Sequence, residues 1–490
     1  MNPVLISSII FIYFLFLIGL SYFTSKGADN QSFFLGNKNS PWYLVAFGMI
    51  GTSLSGVTFI SVPGWVGDSQ FSYMQMVLGY LLGYAVISFV LMPMYYRLKL
   101  TSIYTYLDQR FGFWSYKTGA FYFLLSRIVG ASFRLFLVAN VLQLAIFDSW
   151  GVPYALTVAI TILLIWVYTH KGGIKTIVWT DSLQTLFMLA AVGITIWKIS
   201  EQLDWTFTEL FHQIDSSEYS KMFFFDDWRS GKYFWKQFLS GAFITIVMTG
   251  LDQDMMQKNL SCRNIKEAQW NMMSFSTVLV FVNVLFLSLG VMLYYYANEM
   301  GIPIPSQGDE LYPTLAVGNE LGLTVAVLFI LGLIAAAYSS ADSALTALTT
   351  SVCIDFLDVD KRAENEQIKV RKRVHLLMSL VLYLVIMLFS LISDESVISS
   401  LFKAAGYTYG PLLGLYAFGM MTKKQVKDRW VPLVCIISPI ATYLLQLNSK
   451  TLLNGYEFGF EIIILNGLLT FLGLLLLQTK KPIAQVSELV

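Results

Sequence analysis

Gly48-Met49-Ile50-Gly51-Thr52-Ser53-Leu54-Ser55-Gly56-Val57-Thr58 lies inside an apolar run covering residues 43–66. If that run crosses a bilayer, its glycines and hydroxyls sit at mid-membrane depth. Such a stretch can break the helix and present bare carbonyls to an ion. It can equally pack small residues closely against a neighbouring helix. The composition around it decides that a bilayer is the right solvent. Of 490 residues, 56% are hydrophobic and only 13% charged. A soluble globular chain carries roughly 25% charge. The chain therefore has too little polar surface to coat a water-facing body of this size. This excludes an ordinary cytosolic enzyme, a disordered chain and a nucleic-acid binder. Lys+Arg is 32 against Asp+Glu 31, so no net charge points to a polyanionic partner. Cys262, Cys353 and Cys435 are too few for a disulfide framework and too scattered for zinc, and His170, His212 and His375 are equally dispersed.

A membrane-crossing helix needs about 20 mostly apolar residues. That test predicts thirteen spans: 4–23, 43–66, 72–95, 117–147, 153–169, 176–199, 234–256, 271–297, 317–353, 376–392, 397–421, 431–447 and 459–478. The first span starts with Met-Asn-Pro, without a positive side chain, and no small-residue cleavage site follows it. It is expected to be a true span and not a signal peptide. Strands are not expected, because the apolar runs are long and do not alternate. With the N-terminus outside, 23 of the 32 Lys and Arg residues fall on the inside, Arg110 and Lys258 among them. Six fall outside, and Arg127, Arg134 and Lys403 lie within spans. This asymmetry predicts an external N-terminus and a cytoplasmic C-terminus in a multi-pass plasma (inner) membrane protein. The outer loop 200–233 mixes acids with Trp205, Phe223, Phe224, Phe225 and Trp228. It reads as an interfacial aromatic belt, with a lid over an outer vestibule as the alternative. The inner loop 354–375 ends in a basic run, Lys369 to Arg373, which reads as a topology signal.

Two more spans carry polar groups where lipid would penalise them. Span nine contains Ala335-Ala336-Ala337-Tyr338-Ser339-Ser340-Ala341-Asp342-Ser343. Ala336, Ser339 and Ser340 share one helix face, and Ser339, Asp342 and Ser343 repeat the spacing three residues on. Hydroxyl and carboxylate oxygens are hard ligands suited to a small hard cation. No His/Cys cluster suits a transition metal. Serines in a span can also bond back to the i−4 carbonyl. Asp342 has no such local outlet and needs a cation or a proton. Span six contains Gly172-Gly173-Ile174-Lys175-Thr176-Ile177-Val178-Trp179-Thr180-Asp181-Ser182-Leu183-Gln184, with Asp181 inside the apolar run and Lys175 as a candidate partner.

These residues resemble the sodium:solute symporter family, which includes sodium-coupled sugar, proline, iodide and sialic-acid transporters. The Gly-Gly…Val-Trp-Thr-Asp-x-x-Gln run from Gly172 to Gln184 carries the resemblance most specifically. The stretch from Thr101 to Gly112 is similar to the family's loop before its long fourth span. Asp252-Gln253…Gln257-Lys258…Lys266-Glu267-Ala268-Gln269 resembles the inner end of its seventh span, and Gly410-Pro411-Leu412-Leu413-Gly414 completes the set. The matches run in order from about residue 40 to 425.

The resemblance implies an all-α membrane fold of the amino-acid/sodium symporter type, with a five-plus-five inverted repeat and two broken helices. The chain then divides into a first span with its inner loop (1–42), a first repeat of spans two to six (43–199) and an outer loop (200–233). A second repeat of spans seven to eleven (234–421) and a last segment with two spans and a short tail (422–490) follow. It also implies sodium as the coupling ion, bound by Gly51, Leu54, Ala336, Ser339 and Ser340. A second sodium site would fall at Asp181, Ser339, Asp342 and Ser343, where Asp342 replaces the usual hydroxyl and either strengthens a sodium site or replaces it with a proton. The implied solute residues are Ser55, Thr58, Arg134, Thr245, Met248 and Lys403. Thr245, Met248 and Lys403 stand where sugar transporters of the family have an amide, a tyrosine and a glutamine. Arg134 lies in the region where a sialic-acid transporter grips its carboxylate, which favours an anionic solute over a neutral sugar. An enzyme would need a nucleophile–base set or clustered metal ligands, a channel would need rings or filters, and a sensor would append a signalling domain. None of these is expected. The partners expected are a small solute, sodium ions and the bilayer, with no nucleic acid and no obligate protein.

Overall fold

The computed structural model describes residues 3–24, 41–100, 102–169, 174–318, 320–391 and 397–479. Its principal helices, in chain order, are α1 (Pro3–Thr24), α2 (Trp42–Ser53), α3 (Gly56–Ser69), α4 (Tyr73–Val86), α5 (Phe113–Leu142), α6 (Tyr154–Thr169), α7 (Ile174–Gln202) and α8 (Phe234–Thr245). They continue as α9 (Gln253–Leu260), α10 (Ile265–Glu299), α11 (Gly322–Ser351), α12 (Glu364–Phe389), α13 (Val397–Thr408), α14 (Gly410–Met421), α15 (Val431–Leu447) and α16 (Ile462–Leu476). Among the described residues, seven helices are long and apolar enough to cross a membrane, or eight if one bent pair counts as a span. Strands are nearly absent there, as expected, but a two-residue antiparallel pair, Gln425–Val426 with Gln478–Thr479, ties the ends of the last two long helices together.

Lipid tails are as apolar as leucine, so burial alone cannot hold these helices together and close packing must. Small residues supply it. A Cβ on Gly79 of α4 would come within 2.0 Å of the Phe238 carbonyl oxygen, and one on Gly241 of α8 within 2.0 Å of the Met76 oxygen. The two helices thus meet backbone to backbone along one wall of the molecule. The opposite kind of face appears on α12, where Leu376, Leu380, Leu384 and Leu388 are exposed at helical spacing. That row is a lipid-facing stripe.

The loop 200–233 is folded down over the helix ends. Its helix Phe207–Ser216 starts with a reciprocal cap between Thr206 and Glu209. The Phe224 amide donates to Gln75 Oε1 at 3.0 Å, and the Lys221 carbonyl accepts from the Phe71 amide at 3.2 Å. The aromatic rings of Phe223, Phe225 and Trp228 nonetheless stay about half exposed. Arg110 departs from its expected place in a loop. It is fully buried, and its guanidinium donates to the carbonyls of Gly419, Thr422 and Lys424 at 2.7–3.1 Å. A helix end leaves such carbonyls unpaired, and here one arginine satisfies one carbonyl of the last turn of α14 and two of the segment that follows it.

Candidate functional site

The run that opened the sequence reading does break. α2 ends at Ser53, Leu54 leaves helical geometry with ψ 74°, and Ser55 is extended at ψ 174° before α3 starts. Close packing operates at the same place: a Cβ on Gly51 would lie 2.2 Å from Thr185 Oγ1 of α7. The helix break and the close packing of the glycines therefore occur together. Among the described residues no hydrogen bond reaches the carbonyls of Gly51 or Leu54. α11 packs against α2, and its Ser340 hydroxyl is buried without a hydrogen-bond partner. Unpaired buried oxygens of this kind are costly. They are the hard ligands that a small hard cation takes. The side chain of Ser339 lies outside the described residues, and Ala336 can contribute only its carbonyl.

Beside this break is a central cavity with about 760 Å³ of empty space, its open mouth included. Ser55 and Thr58 line it from α3, Thr245 and Met248 from α8 and the turn after it, and Arg134 from α5. Tyr73, Tyr80 and Phe402 line it too. The Tyr73 and Tyr80 hydroxyls are 3.0 Å apart, and Tyr73 stacks on Phe402 with ring centroids 6.3 Å apart. Trp65 and Phe460 extend this aromatic cover.

Two arginines on α5 face the cavity, seven residues apart on one helix face. Arg127 is paired: its guanidinium bonds Asp254 and lies 3.6 Å from Asp252, which also accepts from the Tyr409 hydroxyl at 2.9 Å. Arg134 forms no ion pair among the described residues, and its Nε has no hydrogen-bond partner. Lys403 is half-buried on α13 and is not among the cavity's lining residues. Its neighbours Leu401 and Phe402 are.

The residues expected to hold a second cation converge, but around a side chain. Asp181 is fully buried, and its Oδ2 lies 2.9 Å from Lys258 Nζ. The side chain of Lys175, the partner expected from the sequence, lies outside the described residues. The ammonium also donates to Thr52 Oγ1 at 2.6 Å and to Ser343 Oγ at 2.9 Å. Asp342 accepts from the Ser343 amide through Oδ1, while its buried Oδ2 has no partner. Lys258 therefore does not sit in an inner loop as its polar neighbours suggested. The segment Gln253–Leu260 turns 67° from Phe234–Gly250 and carries Lys258 back into the protein.

The model of the sodium:solute symporter family matches residues 33–428. The chain belongs to that family. This sodium:solute symporter is 26% identical to the sodium/sialic acid symporter SiaT of Proteus mirabilis (strain HI4320), over 90% of this chain and 89% of the relative. It is 24% identical to the sodium/sialic acid symporter NanT of Aliivibrio fischeri (strain ATCC 700601 / ES114), over 89% and 86% of the two chains. It is also 24% identical to the human sodium/iodide cotransporter, over 82% of this chain and 63% of that one. Its fold is that of a solved Na+-coupled sialic acid symporter, with TM-score 0.80 at 22% identity, covering 96% of this chain and 97% of the other. The nucleobase-cation-symport-1 transporter Mhp1 shares the architecture more distantly, with TM-score 0.53 at 12% identity over 91% and 94%.

The symporter is a multi-pass membrane protein that couples solute movement to sodium. Within it, Leu54, Ser55, Thr58, Arg134, Thr245 and Met248 line the cavity, whereas Gly51 and Ser340 are not among its lining residues. Sequence reading missed the aromatic cover, the cavity-lining Asn283 and Thr249, and the role of Lys258. The signal for Arg127 was present, since it shares a helix face with Arg134.

Proposed function

We propose that this symporter imports a carboxylated sugar of the sialic-acid type together with sodium, by alternating access. One observation carries the solute class: Arg134 faces the cavity without an acid partner, while Arg127, two turns away, has two. A lone buried guanidinium is costly and matches a carboxylate with two parallel hydrogen bonds. Ser55, Thr58 and Thr245 offer hydroxyls to the rest of a polyhydroxylated solute, and Met248 a soft apolar contact. Two curated relatives that the chain resembles over most of its length are sialic-acid symporters. Lys403 adds positive charge beside the cavity wall without lining it.

The first sodium position is built by Gly51, Leu54, Ala336, Ser339 and Ser340. The second position, at Asp181, Asp342 and Ser343, is a site for one monovalent cation. The chain crosses the bilayer thirteen times, with its N-terminus outside and its C-terminus in the cytoplasm. Residues 43–199 and 234–421 form the two inverted repeats. The position of the breaks supports this division, since each repeat starts with an interrupted helix, α2/α3 in one and α8/α9 in the other.

The test is uptake into proteoliposomes, with sialic acids, small organic acids and neutral hexoses in competition. A sialic acid should compete best, and Arg134→Lys should weaken it at least about tenfold, because an ammonium lacks the bidentate geometry. A neutral hexose transported best, with Arg134→Lys leaving it intact, would remove the anionic reading and keep sodium symport.

A further inference from the structure

We propose that the ammonium group of Lys258 is the resident cation of the second site, filling the position where a two-sodium symporter would hold its second ion. The inference rests on the sodium-symport reading above. An ammonium has three donors, and here each meets one oxygen: Thr52 Oγ1 at 2.6 Å, Asp181 Oδ2 at 2.9 Å and Ser343 Oγ at 2.9 Å. Those oxygens come from α2, α7 and α11. Two of these helices, α2 and α11, also build the first sodium position. Thr52 directly follows Gly51, and Ser343 lies three residues after Ser340. Thr52 closes the ring by donating its own proton to Asp181 Oδ2 at 2.8 Å. The ligand set is thus a carboxylate and two hydroxyls, which is hard-cation chemistry satisfied by a side chain.

An isolated buried salt bridge adds little stability over an apolar pair. Its location is more informative than its strength. The ammonium already occupies the oxygens of Thr52, Asp181 and Ser343. A mobile sodium at the same oxygens would place two like charges within contact distance of one buried carboxylate, in a low-dielectric interior. A tethered cation cannot cross the membrane with the solute. The cycle therefore carries one sodium, with Asp181 held by α9 instead of by an ion.

The experiment counts bound sodium. Purified full-length protein is titrated with labelled sodium against a choline background, without solute. Wild type should bind one sodium per chain. Lys258→Gln should bind two, a doubling, because Asp181 then needs an ion. Ser340→Ala in the Lys258→Gln background should lose one of the two. Two sodium ions in wild type, or one in folded Lys258→Gln, overturns the resident-cation proposal while leaving symport standing. If Lys258→Gln does not fold, Asp181→Asn decides: the count should stay at one, and a fall to zero overturns the proposal. No sodium bound by wild type removes the symport reading along with this one.

Discussion

The protein interrupts a helix twice in the same manner and finishes the two interruptions differently. At Leu54–Ser55, between α2 and α3, no side chain caps the new helix, and the Gly51 and Leu54 carbonyls are left bare. At Leu251–Asp252, between α8 and α9, side chains take the freed carbonyls and cap the new helix. The Tyr95 and Tyr104 hydroxyls donate to the Gly250 and Leu251 carbonyls at 2.8 and 2.9 Å. Asp252 caps α9 by accepting from the amides of Asp254 and Met255, and Arg127 and Tyr409 neutralise it in turn. The sodium position proposed above falls at the break where the chain withholds its own partners. Where it supplies them, the break becomes a fixed joint beneath the cavity.

The strongest way to break this contrast is to remove the partner at the second interruption. Arg127→Leu leaves Asp252 and Asp254 buried without their cation, which typically costs about 3–5 kcal/mol. The expected outcome is a large fall in apparent Tm of the purified protein, partly recovered when Asp252→Asn and Asp254→Asn are added. A fall of the same size with no recovery would mean that Arg127 acts by packing and not by charge.

A smaller effect is expected at the first interruption. Ser340→Ala removes one ligand from a cation that the protein does not need for folding. The sodium concentration for half-maximal uptake should rise about tenfold, equivalent to about 1.4 kcal/mol, with little change in Tm measured without sodium. Unchanged sodium dependence would move the ion elsewhere.

The smallest change tests whether a bare carbonyl is sufficient to bind an ion. Tyr104→Phe uncovers the Leu251 carbonyl and should lower stability by about 1 kcal/mol. Sodium binding should not increase, because a single uncovered carbonyl supplies one ligand where a hard cation needs several. A gain in bound sodium would show that any uncapped break in this fold recruits a cation.

Much of this was open to reading in the chain itself. The bilayer environment followed from charge content, and the hydroxyl face of α11 followed from i, i+3, i+4 spacing, both properties of short stretches. Asp181 and Asp342 stood out because a carboxylate in an apolar run has no cheap local solution. Lys258 did not stand out. It follows Asp252-Gln253-Asp254, a polar stretch at the end of an apolar run, and such a stretch reads as the loop beyond a span. Lys403 misled in the opposite direction, since its place within a span suggested the cavity. A position in a span fixes depth but not which way a helix is rotated.

The sequence by itself determined the solvent, the class of fold and the chemistry of the ligands, because transfer energies and helical periodicity act over a few turns of one segment. Only the tertiary structure decided which charges pair. Arg127 and Arg134 are alike in sequence, two arginines on one face of one helix. They differ because Asp252 and Asp254 pair with the first from a segment more than a hundred residues away, and no acid among the described residues lies within ion-pair distance of the second. Lys258 meets Asp181 for the same kind of reason: a 67° bend carries its ammonium to an aspartate 77 positions earlier. Coulomb energy depends on distance through space and on the local dielectric, and neither is a property of order along the chain.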